Sequence, residues 1–142
     1  MIILPKYVKV ANELNSFVMN KVLIIEDDAM LAEMYATKFK TEGFAVVQAA
    51  DGTEGIAVAK KEKPDVILLD VIMPKLDGFG TLQQLKADDS LKRIPVIMLT
   101  NLGQEEDIKK GKELGASDYF VKANQTPSQI VDKVQLLLTC PP

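Results

Sequence analysis

The chain alternates short apolar runs with longer segments in which apolar and polar residues are mixed. The runs occupy residues 22–25, 44–47, 66–69, 96–99 and 119–121. Continuous apolar runs of this length, rich in Val, Ile and Leu, are typical of strands that are buried on both faces of a parallel sheet. The hydrophobic pattern therefore predicts five parallel strands.

The segments between the runs carry apolar residues at helical spacing. They predict five helices, at about 29–41, 53–63, 78–87, 104–114 and 126–138. In the first helix, the apolar residues expected to form the core-facing stripe are Met30, Leu31, Met34, Tyr35 and Phe39. Gly43 and Gly115 are expected to end the first and fourth helices, and residues 126–129 form a candidate capping box.

Strand and helix repeated in this way imply an α/β fold, with a doubly wound, five-stranded parallel sheet of the (βα)5 type. We expect one domain at residues 20–142 and an N-terminal extension at residues 1–19, outside the core fold. Apolar residues of the extension could line one face of a short helix after Pro5; they are Tyr7, Val10, Ala11, Leu14, Phe17 and Val18. A docking or dimerising segment is one interpretation, but an extension without a separate role is favoured, because Met19 directly precedes the first strand.

Composition restricts the possible chemistry. The 142 residues contain no histidine, which excludes Ser-His-Asp and Cys-His catalysis and any His-based metal site. A metal would have to be held by oxygen, so Mg²⁺ is expected, with Mn²⁺ or Ca²⁺ as substitutes. The net charge of -3 argues against direct nucleic-acid binding, and no apolar stretch has the length of a membrane span. The single cysteine, Cys140, fits a cytoplasmic location.

Polar side chains follow four of the five runs: Glu26-Asp27-Asp28, Asp70, Thr100 and Lys122. The carboxyl ends of parallel strands meet at one edge of a sheet, where such sheets bind ligands. Two carboxylates about 4 Å apart repel by roughly 4 kcal/mol at an effective dielectric of 20, so the acids need Lys122, a cation or a shared proton. Ordinary turn chemistry would explain one such acid, but not the whole set.

Asp70 is the best candidate for a reacting group, because a carboxylate can accept a phosphoryl group as an aspartyl phosphate. The transfer needs mainly positioning and charge neutralisation, which magnesium and Lys122 can supply. Thr100 could then donate a hydrogen bond to a phosphoryl oxygen.

Four segments in this order and spacing resemble the receiver domain of two-component response regulators. They are Ile24–Asp28, Asp65–Gly78, Pro95–Thr100 and Gly115–Lys122, and the resemblance extends from about residue 21 to about residue 138. It implies a flavodoxin-like sheet with strand order 2-1-3-4-5.

The resemblance also implies roles for individual residues. Asp70 would be the phosphoacceptor, and Asp27 a direct ligand of magnesium, with Glu26 acting mainly through water. The backbone carbonyl of Ile72 would be the third protein ligand, and Asp28 would lie at the start of the first helix.

Three further residues would respond to the phosphoryl group. Lys122 would pair with it, Thr100 would swing towards it, and Tyr119 resembles the switch aromatic that changes rotamer with Thr100. For Tyr119, an ordinary aromatic packed on the sheet is an equally good interpretation.

A sensor histidine kinase or a phosphotransfer protein would donate the phosphoryl group. The chain would be an acceptor that assists its own phosphorylation and dephosphorylation, not an enzyme in the usual sense. The fourth helix, fifth strand and fifth helix would carry the signal to a downstream protein partner or to self-association.

The chain departs from the family at several positions. Ala123 follows Lys122 where the family usually has proline joined by a cis bond. A non-proline cis bond costs roughly 2.5–4 kcal/mol, so we predict a trans bond, which could aim Lys122 differently. Ile72 and Leu102 occupy the two places that often position the hydrolysing water, and both are apolar, so we expect slow self-dephosphorylation. Asn101 would narrow access to Asp70 or add a polar contact.

Other functions remain open. A receiver-like interaction module that signals without phosphorylation would be expected to lack the acids or the lysine, and none is lost here. A haloacid-dehalogenase-type phosphatase usually has a second acid two residues after the nucleophile, where this chain has Ile72. A flavin carrier would need a Ser-, Thr- and Gly-rich phosphate loop after the first strand.

Overall fold

The computed structural model describes residues 7–9 and 17–139. The strands of this part are β1 (Tyr7–Lys9), β2 (Phe17–Met19), β3 (Lys21–Ile25), β4 (Ala45–Ala49), β5 (Val66–Leu69), β6 (Val96–Thr100) and β7 (Asp118–Val121). The helices are α1 (Ala29–Thr41), α2 (Gly52–Glu62), α3 (Gly78–Ala87), α4 (Glu105–Glu113) and α5 (Pro127–Thr139). Among the described residues, none of these helices has the length and apolar character needed to cross a lipid bilayer.

Strands β3 to β7 form one sheet in the order β4-β3-β5-β6-β7, and every neighbouring pair is parallel. Counted within this sheet alone, the order is 2-1-3-4-5, which confirms the predicted fold. The predicted strands and helices of the sheet domain all form, and their ends differ from the prediction by about one or two residues, the usual uncertainty of such boundaries.

Residues of one strand alternate between two apolar layers, because successive side chains point to opposite faces of a sheet. In β3, Val22 and Ile24 pack with α1 and α5, whereas Leu23 and Ile25 pack with α2 and α3. Both faces of the sheet are thus covered, and its polar groups are left at the strand ends.

The helix ends follow the predicted signals. Gly43 and Gly115 have φ of 93° and 106°, the left-handed conformation that glycine adopts without strain. Each stands just after a helix and donates its N–H back to the last turn, as in a Schellman ending. At the start of α5, the Thr126 N–H donates to Gln129 Oε1 (2.8 Å) and the Gln129 N–H to Thr126 Oγ1 (3.1 Å). The predicted capping box is confirmed.

The core-facing stripe of α1 was predicted partly wrongly. Tyr35 and Phe39 are buried as expected, but Met30 and Met34 are 84% and 42% exposed. The residues that face the sheet are Ala32, Tyr35, Ala36 and Phe39, at the i, i+3, i+4, i+7 spacing of one helix face. Small alanines complete this face, so the larger methionines lie on its flank.

The short helix considered for the N-terminal extension is wrong at Tyr7, Phe17 and Val18. These residues belong to β1 and β2, which pair antiparallel with Tyr7 opposite Met19 and form a separate two-stranded sheet. Aromatic and β-branched residues stand side by side in both strands, a composition that favours strand over helix. Val10, Ala11 and Leu14 lie outside the described residues, and the domain boundary at residue 20 stays a prediction.

Candidate functional site

The predicted site residues meet at the carboxyl edge of the sheet. Glu26 directly follows β3, Asp70 follows β5, Thr100 is the last residue of β6 and Lys122 follows β7. These strands are neighbours and run in one direction, so their ends place the four side chains together. Glu26, Asp70 and Thr100 are buried, and Asp27 is exposed at the rim.

Three carboxylates form the acidic part of the site. One oxygen each from Glu26, Asp27 and Asp70 lies within 4.8 Å of the others. Hard oxygen donors at this spacing, with one of the three acids open to solvent, suit a cation such as Mg²⁺. The donor set therefore fits the predicted metal.

Lys122 supplies positive charge to the same cluster. Its Nζ lies 2.6 Å from Glu26 Oε1 and 3.4 Å from Asp70 Oδ2. Burial alone would lower the pKa of Lys122, but its hydrogen bond to Glu26 and the charges of Asp70 and Glu26 raise it overall. Lys122 therefore stays protonated, and its ammonium group lies closer to Glu26 than to Asp70.

The Lys122–Ala123 bond is trans, since no cis peptide bond occurs in the described part of the chain, and this confirms the prediction. Residues Lys122–Asn124 form a single 3-10 turn between β7 and α5. Lys122 still reaches the acids across the pocket, so the missing proline does not remove it from the site.

Glu26 is an acid of this cluster whose pKa is strongly perturbed. Burial raises the pKa of its carboxyl to about 7; the neighbouring Asp70 charge adds to this rise, while hydrogen bonds from Lys122 and from the Asp28 N–H oppose it. One buried lysine thus only partly offsets two buried carboxyls, and the cluster gains from either a proton or a cation.

The site opens into a cavity of about 300 Å³. Its lining consists of Glu26, Asp27, Asp28, Leu31, Asp70, Ile72, Thr100, Asn101 and Lys122. Ile72 is 58% exposed at this opening, and Asn101 lines it as predicted. Leu102 instead packs against the apolar core that contains Met98 and Tyr119. Of the two residues expected to affect the hydrolysing water, only Ile72 therefore lies at the pocket.

The loop after β5 folds tightly against Asp70. The Gly78 N–H donates to the Val71 carbonyl at 2.8 Å, and a Cβ atom at Gly78 would overlap the Asp70 carbonyl oxygen. Asp77 caps α3 by accepting from the Gly80 N–H at 2.8 Å. Only glycine fits at position 78, and this close return fixes one wall of the pocket.

Asp28 lies at the start of the first helix, as predicted, and is not one of the three clustered carboxylates. Its Oδ1 accepts from the N–H groups of Met30 (2.9 Å) and Leu31 (3.1 Å) and so caps α1. The first helix consequently begins directly beside the acidic pair Glu26 and Asp27.

Thr100 and Tyr119 contact the same loop residue. The Tyr119 hydroxyl donates to the Leu102 carbonyl at 2.9 Å, and the Leu102 N–H donates to Thr100 Oγ1 at 3.4 Å. The Tyr119 ring lies inward, 6% exposed, and burial together with the charges of Asp107 and Asp70 raises its pKa to about 12. The two residues predicted to act as a switch are therefore joined through the backbone of Leu102.

Tyr35 is a site neighbour that sequence reasoning took for core alone. It is buried in α1 and shares a small cavity of about 10 Å³ with Glu26 and Asp70. Burial raises the pKa of its phenol, Lys122 lowers it, and Glu26 and Asp70 raise it further. The available signal was a hydroxyl-bearing residue on an otherwise apolar helix face.

Comparison with known proteins gives consistent matches. Residues 22–135 match the family described as the response regulator receiver domain. The probable transcriptional regulator ycf27 of Guillardia theta is 41% identical over 118 residues, which are 83% of this chain and 45% of that protein. The chain spans about half the length of the curated relatives of this kind.

Two solved structures are similar over most of the chain. The chemotaxis protein CheY4 of Vibrio cholerae has a TM-score of 0.78 and 33% identity, with 83% of this chain and 98% of that chain covered. The Mn(2+)-bound form of response regulator Rcp1 has a TM-score of 0.70 and 28% identity, with 85% and 93% covered.

Proposed function

The chain belongs to the response regulator receiver family of two-component signalling, and on this basis we propose that it accepts a phosphoryl group on Asp70. The observation that carries the proposal is the convergence of three carboxylates and Lys122 on one pocket. A sensor histidine kinase or a phosphotransfer protein is the proposed donor of the phosphoryl group. The proposed location of the protein is the cytoplasm.

Asp70 is the acid best suited to react. Glu26 is already engaged by Lys122 at 2.6 Å and by the Asp28 N–H at 3.1 Å, and Asp27 lies at the exposed rim. Asp70 is buried, unlike Asp27, and Lys122 contacts it at the longer distance of 3.4 Å. In the transfer, the phosphorus–nitrogen bond of a phosphohistidine breaks as a phosphorus–oxygen bond to Asp70 forms, and Lys122 offsets the charge of the phosphoryl oxygens.

Glu26, Asp27, Asp70 and the carbonyl of Ile72 are proposed to hold Mg²⁺, with Mn²⁺ or Ca²⁺ as substitutes. When bound, the cation would neutralise charge on the phosphoryl oxygens and orient them. The all-oxygen donor set supports this, as does the solved manganese-bound form of Rcp1.

The output of the proposed function is a change in Thr100 and Tyr119. New charge on Asp70 would draw the Thr100 hydroxyl towards it and alter the loop that Tyr119 holds. The surface formed by α4, β7 and α5 would carry this change to a protein partner or to a second copy. Residues 20–142 are proposed as the receiver domain, with residues 1–19 outside it.

The test is the intact mass of the protein after incubation with a small phosphoryl donor, with and without Mg²⁺. We expect a gain of one phosphoryl group that depends on Mg²⁺ and is lost in Asp70→Asn. Asp132→Asn is the matched control, because Asp132 is an exposed acid of α5 outside the lining of the pocket, and it should keep the gain.

A gain that persists in Asp70→Asn would contradict the assignment of the acceptor. No gain in any arm would favour the second candidate, an interaction module that keeps the receiver fold and signals without phosphorylation.

A further inference from the structure

Gly111 lies in the middle of α4 and is buried. Glycine in a helix interior is unfavourable by about 1 kcal/mol relative to alanine, so its presence needs a reason. Backbone conformation is not that reason, because the described glycines with positive φ are Gly43 and Gly115. What remains is the space that a side chain at position 111 would occupy.

That space is filled by Tyr119. A Cβ atom at Gly111 would lie 2.9 Å from Tyr119 Cδ2 and 3.0 Å from Met98 Sδ. These distances are shorter than ordinary van der Waals contact, so either the ring or α4 would have to move. The inward Tyr119 ring and the present position of α4 are therefore compatible because Gly111 has no side chain.

The inward position of the ring has a second consequence, because its hydroxyl donates a hydrogen bond to the Leu102 carbonyl. Leu102 is held at its carbonyl by Tyr119 (2.9 Å) and at its N–H by Thr100 (3.4 Å). A displaced ring would release the carbonyl and free the loop between β6 and α4. Gly111, Tyr119, Leu102 and Thr100 thus form one continuous series of contacts from the middle of α4 to the pocket.

We propose that Gly111 is a positioning residue, whose missing side chain allows the Tyr119 ring to lie inward and so fixes the conformation of the loop at Leu102. The signalling meaning of this packing rests on the proposed function, but the packing itself is a property of the unphosphorylated protein. The residue at position 111 would then decide how strongly the inward position of the Tyr119 ring is favoured.

The first test measures access to the Tyr119 ring in Gly111→Ala. Nitration with tetranitromethane, followed by peptide mapping, gives the modification rate of each tyrosine separately. We expect Tyr119 to react about tenfold faster in Gly111→Ala, because a ring displaced from its inward position spends more time in solvent. Lys112→Ala, the exposed neighbour on the same helix, is the matched control and should leave the rate unchanged. An unchanged Tyr119 rate in Gly111→Ala would overturn the proposal.

The second test separates packing from helix propensity through a double-mutant cycle in urea. Gly111→Ala should stabilise a Tyr119→Ala background, where the ring no longer blocks the methyl group, and should stabilise the wild type less or destabilise it. Equal changes in the free energy of unfolding in both backgrounds would refute the proposed packing of Tyr119 against Gly111.

Neither measurement uses a phosphoryl donor. If Asp70 is not phosphorylated, Gly111 can still position Tyr119. If Gly111 does not position Tyr119, Asp70 can still be phosphorylated. The two proposals can therefore be rejected independently.

Discussion

Glu26 is a buried acid that shares one lysine with a second acid, and this ties its protonation to folding. Burial raises its folded-state pKa from 4.5 to about 7. A carboxyl whose pKa is raised by folding contributes stability that is fully present below pH 4.5 and is lost as the pH rises through 7. Unlike most acids, Glu26 therefore favours the folded state at mildly acidic pH.

We predict that the stability of the metal-free protein relative to Glu26→Gln falls by about 2 kcal/mol between pH 5 and pH 8. Urea unfolding at several pH values, with a chelator present, measures this difference. Glu33→Gln removes an exposed acid of α1 and should run parallel to the wild type. Parallel curves for Glu26→Gln as well would contradict the prediction.

Ile72 lies at the pocket opening, and under the proposed function it would affect the lifetime of the aspartyl phosphate. An apolar side chain cannot hold a water molecule for attack on the phosphoryl group, so we predict an aspartyl phosphate that persists for minutes or longer. Ile72→Asn should shorten the lifetime about tenfold by offering that water a hydrogen bond. Loss of the label over time, followed by intact mass, gives the rate.

A wild-type lifetime of seconds would refute this prediction. Leu102→Asn is the contrasting variant, because Leu102 is partly buried and packs against the apolar core. Its main effect should be a lower free energy of unfolding, since it places a polar group against an apolar layer.

Helix α5 begins with a capping box, which follows shortly after the turn at Lys122–Asn124. Thr126 and Gln129 each satisfy a backbone N–H of the other. We predict that Thr126→Ala lowers the free energy of unfolding by about 1 kcal/mol. Addition of Gln129→Ala should cost less than it does alone, because the two bonds support each other.

Urea unfolding of the three variants tests the capping box. Ser128→Ala, an exposed position in the same turn, should change stability by less than about 0.5 kcal/mol. A Thr126→Ala effect as small as that of the Ser128 control would show that the two reciprocal bonds add nothing measurable to α5.

At the scale of the whole molecule, the sheet and its polar edge could be predicted, because they depend on the spacing of apolar residues along the chain and on the common direction of the strands. A buried strand reads as an apolar run, and parallel strands bring their ends together whatever the loops do. The choice between neighbouring helix faces could not be predicted, as Met30 and Met34 show, because alanines can face a core as well as methionines can.

The contacts between side chains inside the site also could not be predicted from the sequence. That Lys122 lies closer to Glu26 than to Asp70 depends on side-chain positions among three charges. That Leu102 turns to the core, and that Gly111 makes room for Tyr119, depends on how α4 packs on β7. Such details are set by three-dimensional packing, for which sequence spacing carries no signal.

The separation of the site residues along the chain has a consequence for protein synthesis. Asp70 and Lys122 are 52 residues apart, and Glu26 and Lys122 are 96 apart. At about 5–20 residues per second, a ribosome needs some 3–10 s to add Lys122 after Asp70. During that interval a nascent chain carries the acceptor without its lysine. Under the proposed function, a nascent chain that ends before Lys122 therefore lacks the positive charge that would offset the phosphoryl oxygens.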